Sequence, residues 1–341
     1  MGARTRGAGR ARPRLDAARA HPLVGPRAEA LAPRRDVSDK RLGARARLLA
    51  ETRAFFGSRG YVEVETPALV PCPGLDLHLD AFEVPGAPPA ARYLSTSPEY
   101  QMKRLLADGH ERVFQICRAY RRGEQGGRHN PEFTILELYR AHAGQEEVMR
   151  DTEQLVARLT GGRATIGGRA IDTTPPFRRL TVAEAFVQYA YVSEAEVHEL
   201  AAHDEDRFFR LLVDAVEPAL AELDHAVFVT EYPIAFASLA RPKPGDPRVA
   251  ERFELYVAGV ELCNGFGELV DPVEQRRRFE LDQAARRARG LPVYPIDERF
   301  VEAVGRMPPA GGNAIGFDRL CAIACGTTTI ADVMAFTVDD L

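Results

Sequence analysis

Apolar residues at Leu42, Leu48, Leu49, Phe55 and Phe56 recur at helical spacing and predict a helix over about 39–57. Ser38 stands where an N-cap belongs, and Gly57 and Gly60 end the run. The period then drops to two. Tyr61-Val62-Glu63-Val64-Glu65-Thr66 alternates as a strand and stops at Pro67, which has no N–H for a ladder. Residues 93–97 predict a short strand and turn, and a helix follows from about Tyr100 to Asp108. Next come two antiparallel strands: Val113 to Arg121, a polar glycine-rich loop, and a return through Phe133 to Glu137-Leu138-Tyr139. Residues 145–159 and roughly 181–224 read as mainly helical, with Phe208, Phe209, Leu211, Leu212 and Val213 buried. Val227 to Val229 is a strand, 253–269 a strand pair, and 272–289 a helix. Ala314 to Phe317 leads into a last helix near 318–326. Strands pair locally and do not alternate with helices, so the predicted class is α+β, a large antiparallel sheet flanked by helices.

Composition sets boundaries around those elements. At 341 residues and 45% hydrophobic, the chain can bury a substantial core, and no apolar run approaches the ~18 residues that cross a bilayer. Five cysteines include no CxxC pair, and an odd count argues against a disulfide framework, which implies a reduced, cytoplasmic setting. Cys321 and Cys325 share one helix face and read as core. Charge is uneven. Nine of the 45 basic residues and three of the 49 acidic ones fall in residues 1–36, which leaves the remainder near −10. That first segment, rich in Arg, Ala, Gly and Pro, is expected to be a disordered basic arm, with an upstream start codon or a targeting peptide as alternatives. Residues 37–341 are expected to form one domain.

The candidate chemistry lies in three places. Arg121 ends one strand, and Arg128 and His129 stand across the loop from it. Guanidinium forks over a shared floor suit an anionic ligand of polyphosphate size, although a hairpin with a solvated charged loop has the same pattern. In the strand pair, a turn at Ala258-Gly259 sets Tyr256 opposite Glu261 and makes Glu254 a diagonal neighbour of Glu261. Two close carboxylates repel unless a proton or cation separates them, and beside phosphate the cation is Mg²⁺; solvated edge glutamates are the plainer reading. Asn264-Gly265-Phe266-Gly267-Glu268 breaks the alternation, so Glu268 faces either a ligand ammonium or solvent. Near the end, Gly316 and Arg319 mark a strand-to-helix junction that favours anions, a weak pattern by itself.

Taken in order, these segments resemble the three signatures of class II aminoacyl-tRNA synthetases. Gly60 to Pro67 is similar to the first, which implies a homodimer interface. The hairpin, with Arg128-His129-Asn130-Pro131-Glu132-Phe133-Thr134 and Glu137-Leu138-Tyr139, resembles the second in its lysine-specific form, and Gly316 to Leu320 the third. The resemblance implies a class II catalytic domain that uses ATP and Mg²⁺ to form an aminoacyl-adenylate. It assigns Ser97, Glu99, Tyr139, Asn264, Glu268 and Ala314 to lysine, with Glu268 on the ε-ammonium and Asn264 on the carboxylate. For ATP it implies Arg121, Glu124, Arg128, His129, Asn130 and Phe133 from the hairpin, with Glu261, Leu262, Gly316 and Arg319. Arg121 and Arg319 carry the catalytic charge, and Glu254 and Glu261 hold magnesium. Gly123 departs from the pattern where these enzymes have the adenine-contacting Glu; Glu124 is adjacent.

Two further traits resemble the stand-alone lysyltransferases that modify elongation factor P. The 36 residues ahead of the domain cannot supply an anticodon-binding barrel, and Ala314 stands where tRNA-charging enzymes usually have Gly. The resemblance implies transfer of lysine, preferentially (R)-β-lysine, to a lysine side chain of elongation factor P, with tRNA binding not expected. The alternatives are a truncated or two-component lysyl-tRNA synthetase charging tRNA-Lys, an amide-forming synthetase of the asparagine type, and a non-catalytic paralogue. The last would have lost Arg121, Glu261 or Arg319, and all three are present.

Overall fold

The computed structural model describes residues 39–88 and 92–341. The Ser38 cap and the basic arm of residues 1–36 lie outside the described residues. Eight strands build the main sheet: β1 (Val62–Glu63), β2 (Arg112–Tyr120), β3 (Glu132–Ala141), β4 (Arg178–Thr181), β5 (Val227–Thr230), β6 (Arg252–Val257), β7 (Val260–Gly267) and β8 (Ala310–Gly316). Their spatial order is β1-β2-β3-β8-β7-β6-β5-β4. The five inner pairings are antiparallel, as the local pairing of strands predicts. Both edge pairings, β1 on β2 and β4 on β5, are parallel and make the sheet mixed. The fold is of the α+β class that the pattern predicts, with a mixed sheet in place of a purely antiparallel one.

Alternation along β3 explains how one sheet carries both a core and a site. Leu136 and Leu138 point to one face and join Val148, Met149, Leu155 and Val156 of the helix Gln145–Thr160. Phe317 and Leu320 of the helix Phe317–Ala324 close the same core. Glu137 and Tyr139 therefore face the other way. There the helices Glu99–Ala107, Pro272–Ala288 and Glu298–Val304 cover part of the sheet through Tyr100, Phe279 and Phe300, with the rings of Tyr100 and Phe300 stacked 4.2 Å apart. The uncovered part of this face is a cavity.

Several expectations need correction. Only Val62 and Glu63 of the predicted strand 61–66 join the sheet, because β1 is an edge strand with partners on one side alone. The helical run 181–224 is four short helices and one π-helical turn, restarted by side-chain caps at Thr181, Ser193 and Asp204. Phe208 and Leu212 are buried, Phe209 and Leu211 half-buried, and Val213 is 54% exposed, since the restarts rotate it out of the apolar stripe. The hairpin at 163–172, strand β4 and the helix Glu298–Val304 carry too many charged residues for periodicity to mark them. Cys321 is fully buried and Cys325 half-buried, in keeping with core positions.

The β6–β7 turn is at Ala258-Gly259, and both residues have positive φ (50° and 71°), as a two-residue hairpin turn requires. Tyr256 pairs with Glu261 as expected, but a bulge between Leu255 and Tyr256 shifts the next pairs, so Glu254 lies opposite Asn264. The expected break in alternation at Gly265 and Gly267 does not interrupt the strand; β7 runs unbroken to Gly267 between β6 and β8. These glycines serve packing instead. A Cβ on Gly265 would overlap the Phe253 ring and come within 2.8 Å of Gly312 O. Gly265→Ala is therefore expected to cost about 1–3 kcal/mol of stability, read as a lower midpoint in urea unfolding with an unchanged slope.

Candidate active site

The open face of the sheet forms a cavity of about 1030 Å³. Every site residue expected from the sequence lines it except Tyr139 and Glu268, which sit in the fully buried layer at one end.

Charge defines the other end. Arg121 follows β2, fixed by its backbone N–H donating to Pro131 O at 2.9 Å. Its guanidinium lies 4.9 Å from the centre of the Phe133 ring, and Nη1 is 3.6 Å from Glu124 Oε1. Glu124 lines the cavity, and Gly123 supplies a turn with φ of 87°. Arg128 Nη1 donates to Gly259 O at 2.7 Å, tying the β2–β3 loop to the β6–β7 turn. Asn130 is spent on the loop itself: Nδ2 donates to Glu132 O, and Oδ1 accepts from Val338 N at 2.9 Å.

Arg319 completes this end. Gly316 ends β8 and lets the chain turn directly into the helix Phe317–Ala324. Asp318 anchors that helix, accepting from Thr134 N at 2.7 Å and pairing with Arg45 at 2.6 Å. Arg319 then points back across the cavity. Nη1 donates to Glu261 O at 2.9 Å and Nε to Arg128 O at 3.2 Å, while Nη2 lies 2.6 Å from His129 Nε2. Since an arginine N–H can only donate, that ring nitrogen carries no proton. Partial withdrawal from water, and then Arg319 beside it, hold the His129 pKa below its usual value. The neutral ring persists as pH falls below the ordinary histidine range, and the contact is lost only below the lowered pKa. His129→Ala is expected to raise the KM for ATP about tenfold and leave the KM for the amino acid within twofold, measured by pyrophosphate exchange.

Next to Arg319 lie the two acidic residues. Glu254 accepts from Arg252 at 2.7 Å, Tyr232 at 2.5 Å and Tyr256 at 2.8 Å. Glu261 is 3.6 Å from Arg319 Nη1, and its side chain is 40% exposed to the cavity. Desolvation first, and then the Glu254 carboxylate, push the Glu261 pKa up. Glu254 is already braced by donors, so Glu261 has the freer oxygens. No cluster of three or more candidate metal ligands occurs among the described residues. Two acids beside the arginines of the cavity wall fit a magnesium ion that takes most of its ligands from phosphate and water.

The buried end gathers carboxylates. Ser97 Oγ donates to Glu137 Oε1 at 2.6 Å and accepts from Glu99 N at 3.1 Å. Tyr139 OH donates to Glu137 Oε2 at 2.7 Å. Glu137 is fully buried, and desolvation, followed by the nearby Glu99 charge, raises its pKa despite these bonds. Glu99, Asn264 and Ala314 line the cavity above, Asn264 with an Oδ1 that has no partner. Lys103 stands between Glu99 and Glu268, its Nζ 2.5 Å from a carboxylate oxygen of each. Glu268 is 0% exposed, and its Oε1 has no hydrogen-bond partner.

Sequence reasoning missed Glu137 and Lys103. Glu137 lies two residues before Tyr139 on the same strand face, a signal that the strand period offers. Lys103 follows Glu99 by four residues in a helix, a spacing that usually marks an exposed ion pair. A family model for tRNA synthetases class II (D, K and N) matches residues 25–340. With that match added to the eight-stranded sheet and the arginine-lined cavity, the domain is an ATP-dependent ligase that activates an amino acid, and the chain belongs to the class II tRNA synthetases of the D, K and N group.

Proposed function

We propose that this chain activates lysine, preferentially (R)-β-lysine, as an adenylate and transfers it to a lysine side chain of elongation factor P. The observation that carries the reading is the amine pocket. Glu99, Glu137 and Glu268 gather around a single ammonium, that of Lys103, at one end of a cavity whose other end holds Arg121 and Arg319. Glu99 and Glu268 share that one cation, which leaves the pocket short of positive charge. A substrate with two ammonium groups supplies it, and one with a single ammonium or an amide side chain does not.

The reaction follows from that alignment. An oxygen of the amino acid carboxylate forms a bond to the α-phosphorus of ATP, and the bond from that phosphorus to pyrophosphate breaks. The acceptor amine then attacks the acyl carbon, AMP leaves, and the amine proton passes to solvent. No nucleophilic side chain is needed, so catalysis comes from positioning and from neutralising phosphoryl charge. Arg121 and Arg319 do this with preset guanidinium forks. Glu254 and Glu261 would hold magnesium, which when bound screens the phosphate charge. Ala314 places a methyl group on the cavity wall, directly across β7–β8 from Asn264, where it favours an amino group displaced from the α to the β carbon. The net negative charge outside residues 1–36 favours a polypeptide acceptor over extended tRNA contact. Val62, 55% exposed on edge strand β1, supports a homodimer through the first signature segment. No helix among the described residues is long and apolar enough to cross a membrane, which agrees with a cytoplasmic reaction.

The test is pyrophosphate exchange with α-lysine, both β-lysine enantiomers and a panel of other amino acids, followed by mass spectrometry of elongation factor P and charging of tRNA-Lys. A mass increase of one lysyl unit on the factor, with exchange fastest for (R)-β-lysine, is the expected result. Exchange with no lysine isomer overturns the substrate, and charged tRNA-Lys with unmodified factor overturns the acceptor.

A further inference from the structure

Lys103 occupies a site that looks built for a ligand ammonium. It is 2% exposed, lies 2.5 Å from Glu99 Oε1 and 2.5 Å from Glu268 Oε2, and has the Tyr139 and Phe266 rings at 5.8 and 5.7 Å. Two carboxylates and two aromatic faces are what a protein offers a bound ammonium ion. Here the ammonium belongs to the chain. Burying an unshared lysine charge is costly, so it persists because two carboxylates flank it. Glu268 Oε1 has no hydrogen-bond partner, although the residue is fully enclosed.

We propose that Lys103 is a specificity-determining, positioning residue: its fixed ammonium bridges Glu99 and Glu268, holds the two carboxylates in register at the buried end of the cavity, and sets how many positive charges the pocket accepts. The inference rests on the amine-pocket reading above. The groups facing Lys103 are Glu99 on its own helix, Glu137 and Tyr139 on β3, and Glu268 after β7. Arg241 also lowers the Glu268 pKa, and it is paired with Glu251 at 2.6 Å. With Lys103 in place, the carboxylates of Glu99 and Glu268 outnumber the one ammonium between them, which favours a diamino acid, whose ammonium groups outnumber its own carboxylate, over a monoamino acid. Without it, Glu99 and Glu268 repel each other out of alignment.

Lys103→Met keeps the length and removes the charge, and Lys103→Arg keeps the charge. For Lys103→Met, the expected KM for the diamino acid in pyrophosphate exchange rises at least about tenfold, with the KM for ATP within twofold. The acid limb of kcat/KM for the amino acid moves to higher pH by about one unit, because removing a cation makes the remaining carboxylates harder to ionise. Lys103→Arg is expected to keep the limb at its wild-type position. A purely structural role would lower both KM-related activities together and leave the limb unmoved, and that outcome overturns the proposal. If Lys103→Met does not fold, Lys103→Arg decides: a retained limb with discrimination against monoamino acids supports the inference, and a displaced limb sinks it. Exchange by the wild-type enzyme with no diamino acid would sink the pocket reading itself, a result distinct from either.

Discussion

Arg319→Ala is expected to reduce pyrophosphate exchange about a thousandfold, with thermal unfolding close to wild type. The guanidinium is held before any nucleotide arrives, by Glu261 O, Arg128 O and the neutral ring of His129. Its position costs nothing at the moment of reaction, and that preset geometry gives a transition-state donor its effect. The carbonyls of Glu261 and Arg128 become accessible to cavity water when the side chain is removed, so the fold loses little. Arg319→Lys should rescue poorly. A single ammonium cannot serve three acceptors and a phosphate from one place, whereas a planar fork can. An Arg319→Ala enzyme retaining more than a tenth of wild-type exchange would remove Arg319 from the reaction and leave it a loop tether.

How much of this was legible before the structure differs by region. The nucleotide end was readable because its residues are local in sequence. Arg121, Arg128 and His129 lie on one hairpin, and the strand-to-helix junction that presents Arg319 is written in Gly316. The two acids were readable through hairpin arithmetic, and the turn fell where the sum placed it. The bulge at Leu255 was not readable, because one extra residue on one strand leaves no composition signal. The amine end was harder still. Lys103 sits on a helix and Glu268 after a distant strand, and their 2.5 Å contact spans 165 positions that only tertiary packing brings together. A lysine four residues from a glutamate looks like solvated helix surface until burial is known. The parallel edges of the sheet escaped for a similar reason. Such pairings join segments far apart in sequence, and strands of two and four residues carry too few side chains to show a period.

Glu268→Gln is expected to lower kcat/KM for the amino acid by about 10²–10³-fold, with nucleotide affinity by calorimetry unchanged within twofold. The amide is nearly isosteric, so the shape of the pocket survives; what disappears is the charge that Lys103 and a substrate ammonium share. The change also separates activity from stability. Desolvation raises the Glu268 pKa, Lys103 opposes the rise, and Glu99 adds to it. A carboxyl group whose folded pKa is raised contributes stability that is present below its unfolded pKa and lost as pH rises through the folded value. Amino acid binding needs the ionised form and so improves over that same rise. The wild-type protein should therefore gain activity and lose some thermal stability as pH climbs toward neutrality. Glu268→Gln should flatten the stability change attributable to this group and sit at low activity throughout. If ATP affinity falls as far as amino acid activation does, Glu268 is a structural support for the whole cavity and not the seat of a substrate ammonium. If activation persists at the wild-type rate, the ammonium is bound elsewhere, and Glu137, the remaining buried carboxylate next to Ser97 and Tyr139, becomes the residue to replace.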